Sequence, residues 1–285
     1  MAAERTGRLP DFIIIGAQKC GTTSLDYYLW QHPAIAMAPG KELDFFVNDE
    51  RWQRGVEWYR SCFDTRAARV GESSPNYTTY PNHDAVARMQ DVLRPETKFV
   101  YIVRDPIERI LSQYVHFRAK DWVSGSLAET LFNPTEGRDF IDRSRYHLQL
   151  ARYLEVYPRE QFHLVVFEDL LHRRRETLAA LFAFLGVDPT FHSFRFGRRL
   201  LTGKSRRQLT PLGRRLRDAG AGRLAAFVPG RFRTDVKWYA AYPFSRRVPR
   251  PLLDVPTLAF LKETLAEDAD AFRRLTGLKF EHWSV

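Results

Sequence analysis

Residues 11 to 24 read Asp11-Phe-Ile-Ile-Ile-Gly16-Ala-Gln-Lys19-Cys20-Gly21-Thr22-Thr23-Ser24. Phe12 to Ile15 is β-branched and aromatic, too short for a helix and without polar alternation, which predicts a parallel strand buried on both faces. Gly16 and Gly21 bracket a loop, and beyond it Leu25, Tyr28 and Leu29 recur at helical spacing until His32-Pro33 stops them. The order is strand, loop, helix. It sets unpaired N–H groups and the positive end of a helix dipole at one point, which suits a phosphate.

The spacing approaches the G-x-x-x-x-G-K-[ST] phosphate-loop pattern, with Gly16, Gly21 and Thr23 in place and Thr22 where the lysine belongs. The lysine stands inside the loop as Lys19. A triphosphatase also needs a Mg²⁺-holding acid after a second apolar strand, but Phe99 to Val103 runs into Arg104 before Asp105. A cation there points to another anion. The plain alternative is an ordinary strand-to-helix turn with polar capping residues.

Three stretches carry a family resemblance: the loop from Gly16 to Ser24, Lys41-Glu42-Leu43-Asp44-Phe45-Phe46, and Val103-Arg104-Asp105-Pro106-Ile-Glu-Arg109-Ile-Leu-Ser112. Together they resemble the sulfotransferases that use 3′-phosphoadenosine 5′-phosphosulfate (PAPS), in the heparan sulfate sulfotransferase branch and of bacterial type. The likeness covers most of the chain except residues 198 to 255. It implies a 5′-phosphosulfate loop at Lys19, Cys20, Gly21, Thr22, Thr23 and Ser24, with 3′-phosphate contacts from Arg104 and Ser112. It also implies a mobile basic loop over the donor at Lys204 and Arg206. No metal is expected, because lysine and backbone dipoles can supply the positive field. Golgi members of the family often carry a lysine where Ser73 stands; Lys41 is the replacement this chain offers.

Glu42 is the candidate general base, because an acceptor hydroxyl or amine must lose a proton as it attacks sulfur. Asp44 is the runner-up, Glu72 a possible assistant, and simple pairing of Glu42 with Lys41 or Lys19 the bland reading. For Arg104 the bland reading is a salt bridge to Asp105 or Glu108. Cys20, beside a lysine and near a helix start, either has a depressed pKa or is a small loop residue. Tyr146 matches a recurrent family tyrosine or is core, and His147 and His163 read as packing or surface residues.

At 285 residues the chain is long enough for one α/β domain. Its net charge of +10 is uneven: from Arg198 to Arg250 there are 15 Lys or Arg against two acids, so the remainder is slightly acidic. That segment, rich in Pro, Gly and Arg, reads as a lid. A donor with two phosphate groups accounts for it as well as duplex nucleic acid would, and no reading helix or stacking platform for nucleic acid is found. No apolar run approaches the ~20 residues that cross a bilayer, and residues 1 to 10 hold no signal-like segment, so a cytoplasmic chain is expected. Two cysteines exclude a disulfide framework.

Alternating strand and helix signals predict a single three-layer, P-loop-like α/β domain with a central parallel sheet of about five strands flanked by helices. The expected strands include Ala34 to Met37, Lys98 to Val103 and Gln161 to Phe167. The expected helices include Asn82 to Leu93, Phe140 to Tyr157, one beginning at Glu168-Asp169 and reaching Leu185, and Leu258 to Leu275. The expected function is sulfuryl transfer from PAPS to a hydroxyl or amine of a small-molecule or glycan acceptor, with Trp122, Trp238, Tyr239 and Tyr242 as flat faces for a ring. The rivals are a P-loop-type nucleotide or small-molecule kinase and a non-catalytic polyanion-binding protein; the sequence leaves oligomeric state open.

Overall fold

The computed structural model describes residues 7–63, 66–197, 206–219 and 242–285. Five strands, β1 (Phe12–Gly16), β2 (Ile35–Met37), β3 (Arg69–Ser73), β4 (Lys98–Val103) and β5 (Phe162–Val166), form one sheet in the order β2-β3-β1-β4-β5. All four pairings are parallel, with Phe12 opposite Gly71 on one side and Lys98 on the other. β1 is the central strand and every residue in it is buried, as its unbroken apolar run requires. Helices flank the sheet, giving the expected layered architecture.

The topology decides where a ligand can bind. From β1 the chain crosses to β2 and β3 on one side and later to β4 and β5 on the other, so the order reverses at β1. Ligands of open parallel sheets bind outside the carboxyl ends of the strands at that reversal. The segment after Gly16 therefore sits at the switch point, and the residues following all five strands collect on the same edge.

Two long helical patterns are interrupted. Phe140 to Tyr157 is two helices, Glu136–Asp142 and Tyr146–Leu154. The buried Arg109 guanidinium explains the break: its Nη2 takes the Phe140 carbonyl at 2.7 Å and its Nε takes Ser144 Oγ. The carbonyl that would accept the Ser144 N–H in a continuous helix is thus occupied, and that N–H turns to Ile141 O at 2.8 Å. The second pattern splits at Arg173 into Phe167–His172 and Arg174–Leu185. Leu258 to Leu275 extends to Val255–Thr276, capped by Asp254 on the Thr257 N–H.

Contacts divide the chain into two compact units. The first holds the sheet and comprises residues 1–110, 131–201 and 254–285. The second comprises 111–130 and 202–253 and contains the antiparallel pair Arg207–Leu209 with Ser245–Arg247 and the helix Pro211–Ala219. The basic segment at 198–255 falls mostly in this second unit. Lys204, Trp238 and Tyr239 lie outside the described residues, as does much of the segment read as a lid.

In the first unit, helix Tyr146–Leu154 has no side-chain cap of its own. Asp268, from the Val255–Thr276 helix, accepts from the His147 and Leu148 N–H groups at 3.0 and 2.9 Å. Asp268→Ala removes this cap, and the expected loss in denaturant unfolding is about 1–2 kcal/mol. A change below the error of the measurement would show that the helix does not depend on it.

Candidate active site

The β1-to-helix turn is built on close approach. At Gly16, with φ 153°, a Cβ would stand 2.0 Å from Thr78 Oγ1, and at Gly21, with φ 98°, 2.8 Å from the Phe167 ring. Gly21 caps helix α1 (Thr22–Leu29) in the left-handed conformation. The Ala17 N–H donates to Ile102 O of β4 at 2.7 Å, which seats the loop on the sheet edge. Lys19, at φ 73°, is held half-buried within it. The Cys20 and Ser24 N–H groups are spent on Ala17 and Gly21 carbonyls, which leaves those of Gly21, Thr22 and Thr23 for the helix mouth.

Cys20 itself is turned away. Its thiol is buried at 3.4 Å from the Tyr146 hydroxyl, and burial pushes its pKa up to about 11, the reverse of a depressed thiol. Tyr146 is buried in the core, and its ring also meets Phe272 and Trp283. His163 is likewise a packing residue, stacked on Phe184 and pushed down to about 4 by burial.

The acidic loop lies beside the start of α1. Lys41 Nζ donates to Thr23 Oγ1 at 2.5 Å and stands 3.4 Å from Glu42 Oε1. Lys41 thus supplies a cation at the mouth where Ser73 does not. Glu42 keeps 47% of its side chain exposed. Phe45 and Phe46 are buried, and Phe45 stacks on Tyr59 at 4.5 Å, so the aromatic pair anchors the loop. Glu42 and Asp44 both have positive φ, 62° and 47°. That backbone is held by Glu42 N–H to Ser73 O at 3.0 Å and Asp44 N–H to Ser74 Oγ at 3.0 Å. Arg51, from the short helix Asp49–Trp52, donates to the carbonyls of Glu42 and Leu43.

Burial dominates the carboxyl groups here. It pushes Asp44 up to about 6 and the fully buried Glu72 up to about 7, and it pushes Asp26, one turn along α1 from Thr23, up to about 6, with the Lys41 charge opposing. Sequence reasoning missed Asp26 and Arg51. Asp26 carries no signal beyond its i+3 spacing from Thr23, and Arg51 is an isolated cation until the loop folds over it. Arg109 is within the quoted motif, and its burial alone reveals its part: its Nη1 reaches the Gln18 carbonyl of the loop after β1 at 3.5 Å.

Arg104 follows β4 directly, so it stands on the ligand edge. Its Nη2 pairs with Glu108 at 2.8 Å and its guanidinium lies 5.0 Å over the Phe167 ring. Asp105 caps the helix Pro106–Ala119 through the Glu108 N–H at 2.8 Å, and its other oxygen accepts the Ser284 N–H. Ser112 lies on that helix and, like Arg206, is half-buried in the second unit. Trp122, also there, is 60% exposed and edge-on to His116 and Phe117. Among the described residues no group of His, Cys, Asp and Glu is arranged to hold a metal ion, and no helix is long and apolar enough to cross a membrane.

Known proteins resemble this chain in sequence and in fold. Over 114 residues the chain is 41% identical to the membrane-associated sulfotransferase kil1 of Dictyostelium discoideum, covering 38% of this chain and 23% of that protein. Over 199 residues it is 30% identical to the mouse heparan sulfate glucosamine 3-O-sulfotransferase 5, covering 66% of this chain and 56% of that one. The chain thus spans less than two thirds of either relative. A sulfotransferase crystal structure from Alicyclobacillus acidocaldarius superposes with a TM-score of 0.59 at 28% identity, over 82% of this chain and 96% of that one. The sulfotransferase domain profile matches residues 9–201, and with more than half of its length so matched, the chain belongs to the sulfotransferase domain family.

Proposed function

We propose that this domain transfers a sulfuryl group from PAPS to a hydroxyl or amine of a small-molecule or glycan acceptor. The supporting observation is the Lys41 to Thr23 hydrogen bond, which sets the solvent-facing Glu42 carboxylate beside a helix mouth shaped for phosphate. The kinase and polyanion-binding readings draw no comparable support from the geometry.

In the proposed reaction the acceptor oxygen or nitrogen forms a bond to sulfur as the bond from sulfur to the donor's phosphate oxygen breaks. Glu42 takes the acceptor's proton. Lys19 neutralises the charge developing on the departing oxygen, and the helix-mouth amides with Thr22, Thr23 and Ser24 hold the 5′-phosphate. Arg104 offers its planar fork to the 3′-phosphate, in competition with or alongside Glu108. Ser112, Lys204 and Arg206 keep, as part of the proposal, the donor contacts that the family resemblance gives them. The acceptor need not be a long polyanion, since Asp26, Glu42 and Asp44 would repel one. A cytoplasmic setting belongs to the same proposal, and cell fractionation tests it.

A thermal-shift comparison of 3′-phosphoadenosine 5′-phosphate, ATP with Mg²⁺ and duplex DNA tests the donor class. The first is expected to give the largest rise in Tm, and stabilisation by DNA alone would overturn the reading. Lys19→Ala is expected to fold and to lose roughly 10² to 10³ in the rate of radiolabelled sulfate transfer from PAPS, the scale of one preorganised charge donor. Glu42→Gln should bind 3′-phosphoadenosine 5′-phosphate as the parent does while losing roughly 10² to 10⁴ in rate. A larger loss in Asp44→Asn would move the base to Asp44.

A further inference from the structure

Glu72, at the end of β3, is only 1% exposed, and no cation pairs with it among the described residues. Its Oε1 accepts from the Tyr59 hydroxyl at 2.8 Å and its Oε2 from the Ser74 hydroxyl at 3.4 Å. The same Ser74 oxygen accepts the Asp44 N–H at 3.0 Å, and the Ser73 carbonyl accepts the Glu42 N–H at 3.0 Å. The two backbone donors that fix the left-handed residues Glu42 and Asp44 therefore hang on the two residues that follow Glu72. A carboxylate there takes the Ser74 hydrogen, which turns the serine's lone pairs toward Asp44. A protonated Glu72 is instead a donor that competes for those lone pairs, and hydrogen bonds to a neutral partner are roughly half as strong as those to a charged one.

We propose that Glu72 is a positioning residue whose ionised form sets the Lys41-to-Phe46 loop, so that Glu42 is presented to the acceptor only while Glu72 carries its charge. The proposal rests on Glu42 being the base. Facing Glu72 are Tyr59 and Cys62 from the helix Gly55–Ser61 and its end, Tyr77 from the turn Pro75–Tyr77, Tyr153 from the helix Tyr146–Leu154, and Asp44 and Ser74. On β1, Ile13 is its register partner. Of these only Asp44 bears charge near neutrality, and its repulsion adds to burial in raising Glu72 to about 7. Because the folded-state value is raised, protonation of Glu72 favours the fold. That stabilisation is complete below the ordinary Glu range and is lost as pH rises through about 7. Ionised Glu72 thus costs stability under the conditions in which it serves the loop.

Glu72→Gln, neutral at every pH, imitates the protonated form. Three outcomes are expected. Its Tm at about pH 8 is no lower than the parent's. Amide exchange of the 41–47 peptide, corrected for the intrinsic rate, is less protected in the parent at about pH 6 than at about pH 8, and stays at the less protected value in the variant. The rate of radiolabelled sulfate transfer from PAPS to a fixed desalted cell extract falls roughly tenfold to a hundredfold and loses its limb near neutrality, with 3′-phosphoadenosine 5′-phosphate binding unchanged. Tyr59→Phe withdraws a donor from the carboxylate and moves the protection midpoint to higher pH. Loop protection in the parent that does not change with pH, or a parental pH profile in Glu72→Gln, overturns the proposal. A pH-dependent loop in a protein that transfers no sulfate supports the positioning role and defeats the functional reading instead.

Discussion

The absence of side chains at Gly16 and Gly21 is the constraint on which the site depends. Between them the chain must leave the central strand, pass within van der Waals reach of Thr78 and Phe167, and enter a helix with the Gly21, Thr22 and Thr23 N–H groups left at its mouth. Any Cβ at Gly16 would collide with Thr78, which itself donates to Ile15 O at 3.2 Å from the turn after β3. The Gly16-to-Gly21 loop is therefore wedged between the ends of β3 and β4 instead of lying loose above the sheet. Parallel pairing then brings the segments after β2 and β4, with Glu42 and Arg104, to the same edge of the sheet.

Backbone strain is concentrated where chemistry is proposed. Of the five described non-glycine residues with positive φ, three are Lys19, Glu42 and Asp44. Each costs of order 1 kcal/mol or more and persists only where its surroundings over-determine it. Those surroundings are identifiable: the Ile102 carbonyl and the glycines for Lys19, and the Ser73, Ser74 and Arg51 hydrogen bonds for Glu42 and Asp44. The stacked ring of Phe45 on Tyr59 fixes the far end of the loop, so the polar residues before it have little freedom to relax.

The electrostatics of the first unit follow from depth. Exposed ion pairs such as Arg60 with Glu57 contribute little, since water and salt screen them. Glu72 and Asp44 sit where desolvation governs, and their protons become responsive near neutrality. Arg109 lies at the same depth on the other side of the loop, where it ends one helix and touches the Gln18 carbonyl with the same guanidinium. A single buried side chain thereby ties the Arg104 motif to the loop that follows β1.

Local pattern carried the fold. The all-apolar Phe12-to-Ile15 run could only be a strand covered on both faces, the Gly16-to-Ser24 spacing could only be a turn into a helix, and alternation along the chain required parallel crossovers. An anion-binding loop was legible for the same reason, since a lysine inside a glycine-bounded loop and an arginine directly after an apolar strand are local facts; the functional class came from the resemblance of those motifs to a known family. What the sequence could not decide depends on long-range contacts. It ran Phe140 to Tyr157 together as one helix, because the guanidinium that takes the Phe140 carbonyl comes from 31 residues earlier. It allowed Cys20 a lowered pKa, because the lysine beside it is visible in the chain and the Tyr146 ring that buries its thiol is not. It put Glu42 ahead of Asp44 and Glu72 without access to what separates them: Glu42 faces solvent, whereas Glu72 is enclosed by Tyr59, Tyr77 and Ser74. Only packing creates that difference, since the dielectric around a carboxylate is a property of everything folded against it.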